Sequence, residues 1–227
     1  MAPADRESVH PAKLASLLLQ YPSEATRQAA TLAARSDVAI EPTRGRRAER
    51  LRELCRWYAA RELAELEREY VECFDFDKRT SLHLTYHVHG DRRQRGVALL
   101  RLKERFRAAG LEPPEDELPD YLPVLLEFWA LAGEAAGPEL MEEHRVALEL
   151  VRAALLDRGS PFAEALEAVL DGLPRLGAAK LARVRRLAAE GPPSEEVGLE
   201  PFAPPEVMPI NEPGAGRPLV GGTGAGR

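Results

Sequence analysis

Residues 121–131 read YLPVLLEFWAL, and the reading of this stretch decides the fold. Leu122, Leu125, Leu126 and Trp129 fall at helical spacing, yet the positions between them are apolar too, with Glu127 the one charge. A helix apolar on most of its faces must be wrapped by other elements, so this one is expected at the centre of a helical assembly. The i, i+3, i+4, i+7 spacing recurs on both sides of it. Upstream, Leu14, Leu17, Leu18 and Tyr21 make a stripe closed by Pro22, and Ser23 stands where it can cap an Ala-rich helix. Leu51, Leu54, Cys55 and Tyr58 form the next stripe, and Leu63, Leu66, Tyr70 and Phe74 continue it after a break. Asp91 is placed to cap a helix carrying Leu99, Leu102 and Phe106 inward, ended by Gly110. Downstream, Leu140, Ala147, Leu148, Val151 and Leu155 mark one helix, Phe162, Leu166, Val169 and Leu170 a shorter one, and Leu181, Val184 and Leu187 a last one.

Composition agrees with this pattern. Of the 227 residues, 44% are hydrophobic but only 6% aromatic, so Ala and Leu, which favour helices, supply most of the apolar surface. The expectation is an all-α, single-domain helical bundle over residues 1–190. From Gly191 onward Pro, Gly and acidic residues dominate, and residues 191–227 are expected to be a disordered Pro/Gly-rich tail. Its last residues, GGTGAGR, are glycine-rich like a phosphate-cradling loop, but no strand precedes them and no helix or Lys follows. A net charge of -6 argues against nucleic acid as a partner, because neutralising phosphates needs a basic surface. The opening residues MAPADRESVH lack the apolar run of a secretory signal, and the richest later run is broken by Glu127. A cytoplasmic protein without stable membrane association is therefore expected, with Cys55 and Cys73 as buried, reduced thiols.

One segment departs from helical spacing. In SLHLTYHVH, residues 81–89, Leu82, Leu84, Tyr86 and Val88 alternate with polar residues, the period of a strand. A lone strand leaves its backbone donors and acceptors unpaired, and no second alternating segment is present to pair with it, so helix is the preferred reading.

The residues around this segment carry a resemblance. Y-V-x-x-F-D from Tyr70, S-L-x-L-T-Y from Ser81, G-D-x-R-x-R-G from Gly90 to Gly96 and E-L-P-D-Y-L-P from Glu117 to Pro123 occur in that order. Together with the early L-A-S-L-L-L-Q-Y-P, they closely resemble the nitrate reductase molybdenum cofactor assembly chaperone (NarJ-type) family, within the wider redox-enzyme maturation chaperones. The resemblance implies an all-helical fold and a dedicated, non-catalytic chaperone without a cofactor of its own. Its implied partner is the apo catalytic (alpha) subunit of respiratory nitrate reductase, bound through its N-terminal segment. It would be held in the cytoplasm until molybdenum cofactor and iron–sulfur cluster are inserted. Proteins that deliver the molybdenum cofactor are a further implied partner. The wider set of chaperones has His where this chain has Tyr121, so any role of that His does not transfer.

Charge layout suggests where a client would bind. Arg92, Arg93, Arg95, Arg101, Lys103, Arg105 and Arg107 are followed by Glu112, Glu115, Asp116, Glu117 and Asp120, and the acidic loop runs straight into the most apolar helix. Carboxylates rimming an apolar surface suit a basic amphipathic leader. Glu117 and Asp120 are expected to receive cationic side chains, with Tyr86, Tyr121, Leu125 and Phe128 lining an apolar groove. Arg92, Arg93 and Arg95 are the expected contacts for an anionic cofactor or its delivery protein. Two rival classes remain. His83 and His87 stand at i, i+4 with His89 nearby, the spacing of a metal-dependent enzyme or sensor on a helix, although the glutamate of H-E-x-x-H is missing. A generic helical adaptor with another client is the other. His144, between Leu140 and Leu148, reads as a hydrogen-bonded core histidine. No G-x-S-x-G turn or Cys–His–acid set points to nucleophilic catalysis.

Overall fold

The computed structural model describes residues 8–35, 39–40, 46–90 and 93–190. Among them are ten helices: α1 (Pro11–Leu18), α2 (Glu24–Ala33), α3 (Arg46–Ala59), α4 (Leu63–Phe74), α5 (Tyr86–His89), α6 (Arg93–Ala108), α7 (Leu122–Glu143), α8 (Arg145–Asp157), α9 (Ala163–Asp171) and α10 (Ala178–Glu190). Two two-residue strands, β1 (Ser8–Val9) and β2 (Ala39–Ile40), pair in parallel. The fold is all-α. No helix among the described residues is long and apolar enough to cross a membrane. Residues 191–227, read as a tail, lie outside the described residues, as do Asp91 and Arg92.

The stripes pack as their spacing requires. The first half of α7 is the centre: Leu122, Leu125, Leu126 and Trp129 are fully buried, and α1 lies along it, tied by the Ser16 hydroxyl donating to the Pro123 carbonyl at 2.8 Å. Burying side chains of this size contributes roughly 1.5–3 kcal/mol each. α3 packs on α9 and on α2, and α8 on α9 and α10. Where they meet, Phe162 contacts the rings of Trp57, Tyr58, Tyr70 and Phe74, and the Tyr58 hydroxyl donates to the Leu18 carbonyl at 2.8 Å. Ser23 caps α2 by accepting from the Thr26 amide, and Gly110 ends α6 at a φ of 73°. Cys55 and Cys73 are free and buried.

Two boundaries differ from the spacing argument. α7 is kinked at Gly133, whose φ of 84° and ψ of -177° break the helical run. The kink lets α7 fold back until Gly137 lies against Trp129, where an added Cβ would run into the indole. The helix marked by Leu140 to Leu155 is likewise two: Leu140 belongs to α7, and Ala147 to Leu155 belong to α8. His144 stands at the junction, with a φ of -97° and ψ of 11°. Period-3.6 counting passes through such a joint because the apolar face resumes almost in phase.

Residues 81–89 are the larger correction. Only Tyr86–His89 is helical; before it His83 forms a single β-bridge and Leu84 and Thr85 make a turn. Their backbone partner is the entrance of α7: His83 bridges Tyr121 in antiparallel fashion, the Leu84 amide donates to the Asp120 carbonyl at 3.0 Å, and the Leu122 amide donates to the Leu82 carbonyl at 2.8 Å. An extended helix entrance satisfies the same groups that a second strand would.

Candidate functional site

The Glu117–Pro123 motif and residues 81–89 are fastened together at Asp120. Its carboxylate is fully buried and is spent on internal partners. Oδ2 accepts from the Thr85 amide at 3.2 Å and the Thr85 hydroxyl at 2.5 Å, and lies 3.5 Å from Arg95 Nη2. Oδ1 lies 3.2 Å from His83 Nδ1. Burial alone would raise its pKa, but the hydrogen bonds from His83 and Thr85 and the nearby Arg95 charge outweigh it and hold the carboxyl below its ordinary value. A buried carboxylate so enclosed is a clasp between two chain segments, and it offers no free oxygen to a visitor. The expectation set Asp120 at the rim, and the fold places it inside.

The other expected residues separate by burial. Leu125 is 0% exposed and Phe128 3%, the latter ring against ring with Phe106 at 4.8 Å, so both are packed in the core. Tyr86 and Tyr121 are half-buried, as is Glu117. Tyr121 stacks on the His83 ring with centroids 5.3 Å apart, and its hydroxyl meets that of Tyr70 at 3.1 Å. Burial raises the Tyr121 pKa, the Tyr70 hydrogen bond opposes this, and the charges of Glu117 and Asp75 add to the rise. Arg93 is exposed, whereas Arg95 is drawn inward by Asp120, with its Nε 3.3 Å from the Thr85 hydroxyl and its guanidinium 5.9 Å from the centre of the Tyr86 ring. Arg95 is therefore part of the clasp rather than of a loose basic patch.

Two open clefts lie at this clasp. The first, about 640 Å³, is lined by Phe74, Asp75, Lys78, Ser81, His83, Tyr86 and Arg95. Next to it the chain presents Phe76, 80% exposed, on a turn tied by Asp77, whose side chain accepts from the Arg79 amide at 2.9 Å and lies 3.6 Å from Arg158. Behind Phe74 an aromatic band continues through Tyr70, ring centroids 4.7 Å away, to the half-exposed Tyr21. The second cleft, about 920 Å³, lies between Lys103 and Arg107 of α6 and the loop from Glu112 to Pro119. Asp75 and Phe76 escaped the sequence reading. The F-D-F-D run that ends α4 was their signal, since a large aromatic placed between carboxylates just past a helix end is poorly suited to a core.

The histidines do not form the helical pair their spacing suggested. His83 precedes α5 and turns Nδ1 toward Asp120, while His87 is buried and donates from Nε2 to the Ser81 carbonyl at 2.7 Å. Among the described residues no group of three His, Cys, Asp or Glu side chains is placed to hold a metal ion. His144 also differs from expectation: its Nε2 is buried without a hydrogen-bond partner, and burial pushes its pKa down to about 4.

Comparison with known proteins agrees with this arrangement of motifs. A family model described as nitrate reductase delta subunit matches residues 43–168. The chain is 38% identical over 112 residues to the "Probable nitrate reductase molybdenum cofactor assembly chaperone NarJ" of Bacillus subtilis (strain 168), covering 49% of this chain and 61% of that protein. It is 36% identical over 158 residues to the "Nitrate reductase-like protein NarX" of Mycobacterium tuberculosis (strain H37Rv), covering 68% of this chain and 23% of that one. It is 35% identical over 106 residues to the "Nitrate reductase molybdenum cofactor assembly chaperone NarJ" of Escherichia coli (strain K12), 47% of this chain and 45% of the other. In each case the matched stretch spans less than two thirds of the relative.

Proposed function

Because the chain belongs to the nitrate reductase delta subunit family, with relatives named as molybdenum cofactor assembly chaperones, we propose that it is a dedicated assembly chaperone for a respiratory nitrate reductase. In this reading it binds the N-terminal segment of the apo catalytic subunit. It holds that subunit in the cytoplasm while molybdenum cofactor and iron–sulfur cluster are inserted, and performs no chemistry itself. The observation that carries the binding step is the cleft beside the Asp120 clasp. Phe74 and Tyr86 offer apolar and aromatic surface there, and the protruding Phe76 is ready to anchor an amphipathic segment. An aromatic anchor left 80% exposed on a braced turn costs solvation in the free chain, a cost that a partner would recover.

The test is co-purification of the full chain with the catalytic subunit, produced with and without its N-terminal segment. A complex is expected only with the intact subunit. Equal recovery of the truncated subunit would refute the proposed mode of holding. Molybdenum content of the subunit from cells lacking the chaperone is expected to fall, and unchanged content would refute the assembly role.

A further inference from the structure

The second cleft holds charges that the fold leaves unused. Lys103 and Arg107 form one wall, and Glu112, Glu115, Asp116 and Glu117 the other. None of these six groups takes part in an ion pair among the described residues, in a molecule where Arg50, Arg105, Arg145 and Arg152 all find carboxylates. Opposite charges facing one another across open space would close on each other if the walls could move. The acidic wall is stiffened by Pro113, Pro114 and Pro119, which fix φ and keep the loop from collapsing onto α6. The cleft is thereby kept open with four carboxylates against two cations, an excess suited to a cationic visitor.

This cleft also meets the first one. Leu118 lines the second, and its carbonyl accepts from the Tyr121 amide at 3.0 Å. Tyr121 in turn stacks on His83, which lines the first cleft. We propose that the two clefts are halves of one extended site joined over Tyr121. The first takes an apolar stretch of a client polypeptide, and the second takes its flanking lysine and arginine side chains against Glu112, Glu115, Asp116 and Glu117. The occupant is a cationic amphipathic segment long enough to cross both. The inference rests on the chaperone reading, and it assigns specificity to the second cleft because exposed charge acts on encounter and discrimination more than on total affinity.

The test is titration calorimetry of the full chain with a synthetic peptide carrying the N-terminal segment of the catalytic subunit, at low and high salt. Reversing the acidic wall with Glu112→Lys, Glu115→Lys and Asp116→Lys is expected to weaken binding by about tenfold or more at low salt, and by less at high salt, where exposed pairs are screened. The neutral variant Glu112→Gln, Glu115→Gln, Asp116→Asn is expected to fall between. The replaced side chains are exposed and unpaired, so an unchanged melting curve is expected alongside. If the parent binds and the reversed wall binds as tightly, the inference is overturned while the chaperone reading survives. Failure of the parent to bind would sink both. A parent dimer that the reversal dissolves would assign the wall to a second copy of the chain and overturn the proposal as well.

Discussion

Glu117 and Asp120 stand three residues apart in one acidic motif, and the fold puts them to opposite uses. Asp120 is fully buried and binds Thr85, His83 and Arg95, which pins residues 82–84 to the entrance of α7. Glu117 remains half-buried, accepts only the following Leu118 amide at 2.9 Å among the hydrogen bonds of the described residues, and lines an open cleft. The inner acid builds the site and the outer one faces it. A carboxylate is costly to bury, so it goes inside only where donors surround it, as the Thr85 and Arg95 groups do here.

The sharpest way to break this comparison is to treat both regions alike. Phe128→Ala, on the buried side, is expected to destabilise the fold by about 3–5 kcal/mol through the cavity it leaves, read from urea unfolding. A loss limited to peptide binding would return Phe128 to a groove. Asp120→Ala should cost a similar amount, about 3–5 kcal/mol, by stranding the buried Thr85 donors and the half-buried Arg95. Stability within experimental error of the parent would mean that the clasp holds nothing.

A pH series separates two buried titrating groups. His144 titrates in the fold near 4 against an ordinary 6.5, because burial disfavours its cation, with Asp120 and His89 acting weakly in opposite senses. The unfolded chain therefore binds the proton more readily. The stability that neutral His144 lends is complete above about 6.5 and drains as pH falls toward 4. His144→Gln should flatten that part of the stability–pH curve, and an unaltered slope would contradict the buried assignment. Asp120, held below its ordinary 3.8, contributes fully above that value and loses its contribution only at lower pH. The smallest expected effect belongs to the outer acid. Glu117→Lys should change unfolding stability by no more than about 0.5 kcal/mol, while weakening peptide binding at low salt.

Much of the bundle was legible because helix faces repeat. The stripe from Leu122 to Trp129 could only be central, and Ser23 starts α2 and Gly110 ends α6 as cap chemistry requires. Where local patterns failed, a long-range partner decided. Residues 82–84 alternate like a strand, but only His83 forms a bridge, and their backbone partners are residues 120–122 rather than another alternating run. The same pairing explains why Asp120 could not be told from Glu117 by type: burial is fixed by which neighbour the turn delivers, and Thr85 and Arg95 come from elsewhere in the chain. Leu125 and Phe128 match a groove only by their apolarity, a property that core and groove share. Phe76 was missed for the converse reason, since a single aromatic without a helical register gives no periodic signal.

The measurement that bears most directly on the account is a residue-by-residue NMR titration of the full chain with the catalytic subunit's N-terminal peptide. Large shifts are expected for Asp75, Phe76, His83, Tyr86, Glu117, Leu118 and Tyr121, with the interior amides of Leu125 and Phe128 little changed. Shifts confined to α2 or α10, with residues 75–86 and 112–121 silent, would contradict it.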